Sequence, residues 1–471
     1  MNRAGWAAVI LAAGKGTRMK SDTPKVLHGL AGRPVIGHVL ATVAVLGPAR
    51  TVVVLAPGMD AVASMVAPVA TVVQRRQLGT ADAVKAARDA LAGFVGDVLI
   101  MYADNPFISV ETIEALRARR AAKDKPAVVV VGFRPADPLR YGRLELDRAG
   151  RLKAIVEYKD ADARQRRIGF CNSGVMAIDG RHLFALIDRI GTDNAAGEFY
   201  LTDIVAEARR AKLGTAAIER PEEEFIGIDT RAQLALAERH VQQRLRAAAM
   251  EGGATLVDPD TVYLSMDTKI GRDVVIGPNV VCGPKVSIGD RAEILPFCHF
   301  EGAVIEDGAR VGPFARLRPG ARIGQNAHIG NFVEVKNATV EAGAKVNHLS
   351  YVGDARVGAK ANVGAGTITC NYDGYFKDFT DIGAGAFIGS NTALVAPVKI
   401  GDGAIIGAGS VVTQDVPAEA LRIERGQQTT VEGWATKFRT RRAREKAAKA
   451  AKPETPKVQA GKTPAKILAE G

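Results

Sequence analysis

Two hydrophobic periods divide the chain. Up to about residue 230, short and nearly continuous apolar runs alternate with stretches of helical periodicity. Ala7–Leu11, Thr51–Leu55, Val98–Tyr102 and Val128–Phe133 predict strands; Val35–Leu46 and Asp82–Leu91 predict helices. Strands that are apolar throughout and separated by helices predict an α/β domain, a mostly parallel Rossmann-like sheet covered on both faces. Ligands of such sheets lie beyond the carboxyl ends of the strands, which directs attention to the loops after Leu11 and Tyr102. From Arg231 to Met250 there is neither Gly nor Pro, and Ala, Leu, Arg and Gln dominate, so a linking helix is expected, stopped by Gly252-Gly253.

Beyond residue 252 the period becomes six. Aliphatic-Gly pairs recur in phased blocks: Ile270-Gly271, Ile276-Gly277 and Ile288-Gly289; then Val311-Gly312, Ile323-Gly324 and Ile329-Gly330; then Ile382-Gly383, Ile388-Gly389, Ile400-Gly401 and Ile406-Gly407. One aliphatic side chain per six residues points into a narrow core, and the glycine is expected to turn a corner that no side chain fits. The pattern predicts an all-β parallel β-helix of hexapeptide repeats. It breaks at Gly366–Asp381, an expected loop on a binding face. The predicted organisation is therefore a first domain at 1–230, a linker helix at 231–251, a β-helix at 252–436, and a basic tail at 437–471 that begins as a short helix and fades into disorder.

Composition sharpens this picture. Glycine numbers 50 of 471 residues, and half of them fall between Glu251 and Ser410. The net charge of +12 resembles a nucleic-acid footprint, but +8 of it lies after residue 436. The folded body is close to neutral, so no nucleic-acid partner is expected. No apolar run approaches the roughly 20 residues that span a bilayer, so no membrane insertion is expected. The four cysteines have no CxxC spacing, which favours reduced thiols and a cytoplasmic setting over a zinc ribbon or disulfide framework. Arg3 and the apolar stretch Trp6–Ala13 mimic a secretion signal, yet Gly14-Lys15-Gly16-Thr17-Arg18 reads better as a phosphate loop after a buried strand than as a cleavage site.

The string Leu11-Ala12-Ala13-Gly14-Lys15-Gly16-Thr17-Arg18-Met19, followed by Pro24-Lys25, is neither a P-loop nor a dinucleotide fingerprint, since Met19 stands where the last glycine of the latter belongs. It supplies unobstructed backbone N–H groups, with Arg18 and Lys25 to neutralise developing charge. The string resembles the signature of sugar-phosphate nucleotidyltransferases. That resemblance implies a base-reading loop at Gln74 and Gln77-Leu78-Gly79-Thr80, and a nucleotide site including Tyr102, Ala103 and Asp104. It also implies sugar and metal positions at Tyr141-Gly142-Arg143, Glu157, Asn172-Ser173-Gly174 and Asp229. Asp104 and Asp229 would share Mg²⁺ while a sugar 1-phosphate attacks the α-phosphorus of UTP. Two positions depart from the family pattern: Ala103 where Gly is usual, placing a methyl group near metal and uridine, and Asp229 where Asn is usual in the nearest relatives.

In the second half stand Gly312-Pro313-Phe314-Ala315-Arg316-Leu317-Arg318-Pro319-Gly320, Gly330-Asn331-Phe332-Val333-Glu334-Val335-Lys336, His348-Leu349-Ser350-Tyr351-Val352-Gly353-Asp354 and Gly366-Thr367-Ile368-Thr369-Cys370-Asn371-Tyr372-Asp373-Gly374. With these the chain resembles, from about Trp6 to Trp434, the bacterial bifunctional N-acetylglucosamine-1-phosphate uridylyltransferases/glucosamine-1-phosphate acetyltransferases. The resemblance implies a left-handed β-helix, a homotrimer formed through it, and acetyl-CoA as second substrate. It implies His348 as general base, with Arg18 and Lys25 catalytic at the other site. Arg318, Lys336, Tyr351, Asn362 and Lys377 would hold the sugar phosphate. Ala365, Asn371, Tyr372, Ser390, Ala408 and Arg425 would line the acetyl-CoA channel. Competing readings are a one-reaction nucleotidyltransferase with a merely oligomerising solenoid, a zinc site on His299, His328 and His348, and a regulatory scaffold with degenerate sites.

Overall fold

Every residue of the strand Trp6–Leu11 is buried, because both of its faces meet apolar layers. Ala7, Val9 and Leu11 join one core; Trp6, Ala8 and Ile10 join the other. In the computed structural model, which describes residues 5–138 and 140–451, this strand lies within a sheet ordered Thr215–Glu219, Val128–Phe133, Cys171–Asp179, Asp97–Tyr102, Trp6–Leu11, Arg50–Leu55, Ala70–Val73. Neighbours are parallel except Cys171–Asp179, which runs antiparallel to both of its own. The expected strands are present within a residue at their ends, and the first helix is Val35–Val45. The expected helix Asp82–Leu91 is instead a shorter helix, Thr80–Lys85, followed by a separate turn, Asp89–Leu91.

The linking helix spans Arg231–Glu251, its first turn capped by Thr230, whose hydroxyl accepts from the Gln233 N–H. It is more than a spacer. Ala237 and Val241 pack with Leu30, Ala31, Val35, Phe107 and Ile228 of the sheet domain, while Leu245 and Ala249 pack against the solenoid core. Gln242, 2% exposed, donates to the Leu264 carbonyl at 2.7 Å and accepts from the Leu264 N–H at 2.8 Å. Gln242→Ala strands a buried backbone donor and acceptor, so a loss of about 2 kcal/mol of stability is expected. The midpoint of chemical denaturation reads this; an unchanged midpoint would show the clamp to be dispensable.

The solenoid climbs in turns of 18 or 17 residues: Lys269 pairs with Ser287 and Ser287 with Val304. Two further parallel rows, Val275–Glu293–Arg310 and Val281–His299–Arg316, complete three faces. Ile276, Ile288, Val311, Ile323, Ile329, Ile388 and Ile406 are at most 2% exposed in one continuous core. The glycines after them do a different job from the one expected. Corners are turned three residues past the aliphatic position, often by non-glycine residues in the left-handed region: Asp273, Asn279, Arg291, Asn326, Lys360 and Asn391. The glycines instead let successive turns touch: a Cβ on Gly330 would lie 1.8 Å from the Asn347 carbonyl oxygen.

The expected loop at Gly366–Asp381 is narrower than the sequence suggests. Ile368–Cys370 and Thr380–Ile382 are both strands of the stack. Tyr351 pairs with Ile368, 17 residues on, whereas Ala355 pairs with Thr380, 25 residues on, so eight extra residues leave the stack between Cys370 and Thr380.

A second compact unit begins after Ile423, inside the range expected for the β-helix. The last strand of the β-helix is Leu421–Arg422, after which the aliphatic-Gly period stops. This second unit contains the helix Trp434–Ala450, none of whose residues is buried. Residues 452–471 of the expected tail lie outside the described residues. No helix among the described residues is long and apolar enough to cross a membrane.

Candidate active sites

The loop leaving Trp6–Leu11 turns back through the short helical turn Thr17–Met19. Gly16, at φ +61°, permits this: a side chain there would lie 2.7 Å from the Cβ of Lys25. The fold of the loop thus brings Lys25 to the mouth of the sheet. Its ammonium touches Asp104 Oδ2 at 2.5 Å and Asp229 Oδ1 at 2.8 Å, while Arg18 reaches Asp229 Oδ2 at 2.9 Å. Asp104 follows the strand Asp97–Tyr102, and its carbonyl accepts from the Ile228 N–H at 3.1 Å, which draws the segment bearing Asp229 alongside. Burial opposes the charge on Lys25, but the two carboxylates outweigh it and raise its pKa above the ordinary lysine value.

Three compartments meet here. A cleft of about 340 Å³ is lined by Leu11, Ala12, Ala13, Gly14, Lys25, Gln74, Gly79, Thr80, Tyr102 and Asp104. Gln74 is buried, and its amide donates to the Gly79 carbonyl at 3.0 Å and Asp82 at 2.8 Å. A second compartment, about 520 Å³, collects Arg18, Tyr102, Asp104, Gly142, Glu157, Asn172 and Asp229. A third, about 580 Å³, is reached past Thr80, Tyr102 and Glu157. Burial raises the pKa of Glu157 above the usual carboxyl range, and the nearby charges of Asp160 and Asp203 push the same way. Ala103 stands apart from these residues. Its methyl is 1% exposed in the core on the opposite face of the sheet from Tyr102, so it does not intrude on the cleft as expected. Lys15, Gln77 and Arg140 also line the compartments. Gln77, part of the quoted base-reading string, donates to the Ala13 carbonyl at 2.6 Å and closes one wall.

On the solenoid, His348, Ala365, Ser390 and Ala408 occupy equivalent positions on successive turns. The carbonyls of His348, Ala365 and Ser390 accept from the N–H groups of Gly366, Asn391 and Gly409 in an unbroken series of 3.2, 2.7 and 2.8 Å bonds. His348 ends the strand Lys345–His348, and its Nδ1 lies 2.6 Å from Asn331 Oδ1. Arg318 donates to Glu334 at 2.9 Å, and Tyr351 is the register partner of Glu334. Lys336 stands beside Lys377, whose charge, joined by that of Arg318, lowers the Lys336 pKa below its ordinary value. Such a cation cluster suits an anion. Asn362 pairs in register with Lys345. Asn371 is buried and donates to Asp354, whereas Tyr372 is exposed on the protruding segment. Arg425 lies in the second compact unit, which begins after Ile423. Glu334, Asn331 and Asp354 are not among the expected site residues, although the quoted motifs contain them. His299 lies on a different face from His328 and His348, and no group of three His, Cys, Asp or Glu able to hold a metal occurs among the described residues.

Residues 8–169 match the MobA-like NTP transferase domain, and residues 302–337 and 379–414 match the six-repeat bacterial transferase hexapeptide family. A nucleotidyltransferase sheet followed by a hexapeptide solenoid defines a transferase with two working ends. The bifunctional protein GlmU of Rhodospirillum rubrum is 63% identical over 433 residues, covering 92% of this chain and 97% of that protein. Its counterpart in Paramagnetospirillum magneticum is 60% identical over 443 residues, 94% and 98% of the two chains, and that of Azorhizobium caulinodans 55% over 442, 93% and 98%. The chain belongs to the GlmU family of bifunctional enzymes.

Proposed function

We propose that the solenoid acetylates glucosamine 1-phosphate with acetyl-CoA and that the first domain joins the product to UMP from UTP, releasing pyrophosphate and UDP-N-acetylglucosamine for cell-wall and outer-surface polysaccharides. The observation that carries this reading is the Lys25 ammonium held between Asp104 and Asp229 at the mouth of a glycine-lined cleft.

At the solenoid edge, His348 takes a proton from the sugar ammonium. The freed amine attacks the thioester carbonyl, a C–N bond forms, the C–S bond breaks, and the CoA thiolate leaves and is protonated. An imidazole suits that task because its neutral form carries a lone pair that can take the proton. Arg318, Lys336 and Lys377 hold the sugar phosphate with Tyr351 and Asn362, and acetyl-CoA runs along Ala365, Ser390 and Ala408, beside Asn371 and Tyr372. In the sheet domain, the sugar-phosphate oxygen attacks the α-phosphorus in line and the bond to pyrophosphate breaks. Arg18 and Lys25 meet the charge that develops, so positioning and electrostatics dominate. Gln74 has its amide hydrogens engaged, and its carbonyl is left as an acceptor for a pyrimidine N–H. Gly142, Glu157 and Asn172 receive the sugar.

Magnesium fits the residues present: two carboxylates at one mouth match an ion that takes one or two carboxylates and completes its shell with phosphates and water. Asp104 and Asp229 would hold it, and the bound ion would neutralise phosphate oxygens.

A cytoplasmic homotrimer built through the solenoid completes the proposal. Three phenylalanines on one corner, Phe297, Phe314 and Phe332, stack at 4.9 and 5.0 Å yet remain about half exposed, which supports burial against another copy. The decisive experiment incubates the purified protein with glucosamine 1-phosphate, acetyl-CoA, UTP and Mg²⁺ and identifies the products. Release of CoA thiol and pyrophosphate with formation of UDP-N-acetylglucosamine is expected. Absence of thiol release would reduce the protein to a nucleotidyltransferase.

A further inference from the structure

An imidazole can act as a base only through the nitrogen that lacks a proton, and a symmetrical environment leaves that choice open. Around His348 the environment is not symmetrical. Asn331 is its register partner on the preceding turn of the solenoid, and the Asn331 Oδ1 lies 2.6 Å from Nδ1. A carbonyl oxygen can only accept, so Nδ1 must carry the proton and Nε2 the lone pair. Among the described residues no hydrogen bond engages Nε2, and the ring is exposed on the edge that continues through Ala365, Ser390 and Ala408. Parallel pairing of the two strands sets the register of the two turns, and the missing side chain at Gly330 lets the backbone of Asn347 approach closely.

We propose that Asn331 is the positioning residue for His348, fixing its proton on Nδ1 so that Nε2 faces the sugar amine as the base. This rests on His348 being the base of acetyl transfer. The ionisable groups around the ring are few. The preceding strand, His328–Asn331, brings His328, which senses the charge on His348. Its own strand brings Lys345, and the following strand, Asn362–Val363, brings none. A neutral amide in contact with Nδ1 therefore orients the ring without adding a charge that would hold it protonated. A carboxylate in the same place would stabilise the imidazolium and raise its pKa.

Two substitutions separate positioning from mere packing. Asn331→Asp is isosteric and keeps the acceptor. It should move the acid limb of kcat/KM for acetyl transfer upward by about one pH unit. Asn331→Ala should lower kcat by roughly tenfold, the worth of one well-formed hydrogen bond, with little change in KM for glucosamine 1-phosphate. Uridylyl transfer, measured on the same preparations, reports whether the chain is folded; should the alanine variant fail that control, the aspartate variant carries the test. An acid limb that stays in place in Asn331→Asp, or a wild-type kcat in folded Asn331→Ala, overturns the inference. His348→Ala keeps the two claims apart: if it retains acetyl transfer, the assignment of the base falls as well, and if it is inactive while Asn331→Asp shifts nothing, only the role of Asn331 falls.

Discussion

Asp104→Ala is expected to slow pyrophosphate release by about 10²–10³-fold, the usual loss when one preorganised electrostatic contact to a reacting phosphate centre is removed. Acetyl transfer in the same preparation should proceed at the wild-type rate. The asymmetry follows from position. Asp104 lies at the end of the strand Asp97–Tyr102, 20% exposed at the cleft mouth, where it contributes little to the core. Its removal leaves the Lys25 ammonium with Asp229 alone and deletes one of the two carboxylates suited to magnesium. Pyrophosphate release from UTP and N-acetylglucosamine 1-phosphate measures one end, and thiol release from acetyl-CoA measures the other. Loss of both would indicate a folding defect, and retention of both would remove Asp104 from the uridylyl site.

His348→Ala should show the reverse pattern. A well-placed general base contributes about 10²–10⁴-fold, and the loss should fall on kcat of acetyl transfer. His348 is exposed, so the truncation opens no cavity in the solenoid core, and uridylyl transfer should be untouched. Raising the pH should restore part of the rate, because the sugar ammonium then loses its proton to solvent without help from His348. Thiol release that survives the substitution would send the search for the base elsewhere on the edge.

Much of this arrangement is visible in the residue pattern, for physical reasons that differ by element. Trp6–Leu11 declares itself because a strand buried on both faces cannot hold a polar residue. The solenoid declares itself because each face of a turn repeats the same packing problem six residues later. Face parity is equally readable, although the expected intrusion of Ala103 neglects it: along Ile100 to Asp104, alternation sends Tyr102 toward the cleft and Ala103 into the opposite core. The corners are harder to place because a glycine suggests a turn, whereas here it marks where two turns touch, and Asp273 or Asn326 tolerates the left-handed backbone. Gln242 is silent in the sequence, since a polar residue in an alanine-rich helix reads as solvated until its partner, the backbone of Leu264, is known. The convergence of Asp104 and Asp229 on Lys25 likewise depends on contacts between residues far apart in the chain, and only the resemblance to a family anticipates it.

The eight-residue excursion between Cys370 and Thr380 leaves the stack and rejoins it in step, for Thr380 pairs with Val398 at the normal interval of 18. Asn371 ties the start of the excursion to Asp354 of the stack, whereas Tyr375 and Phe376 at its tip are exposed. The exposed tip can therefore diversify without disturbing the turns above or below, and changes of substrate preference in this half of the enzyme can accumulate there before any are tolerated in the stack itself.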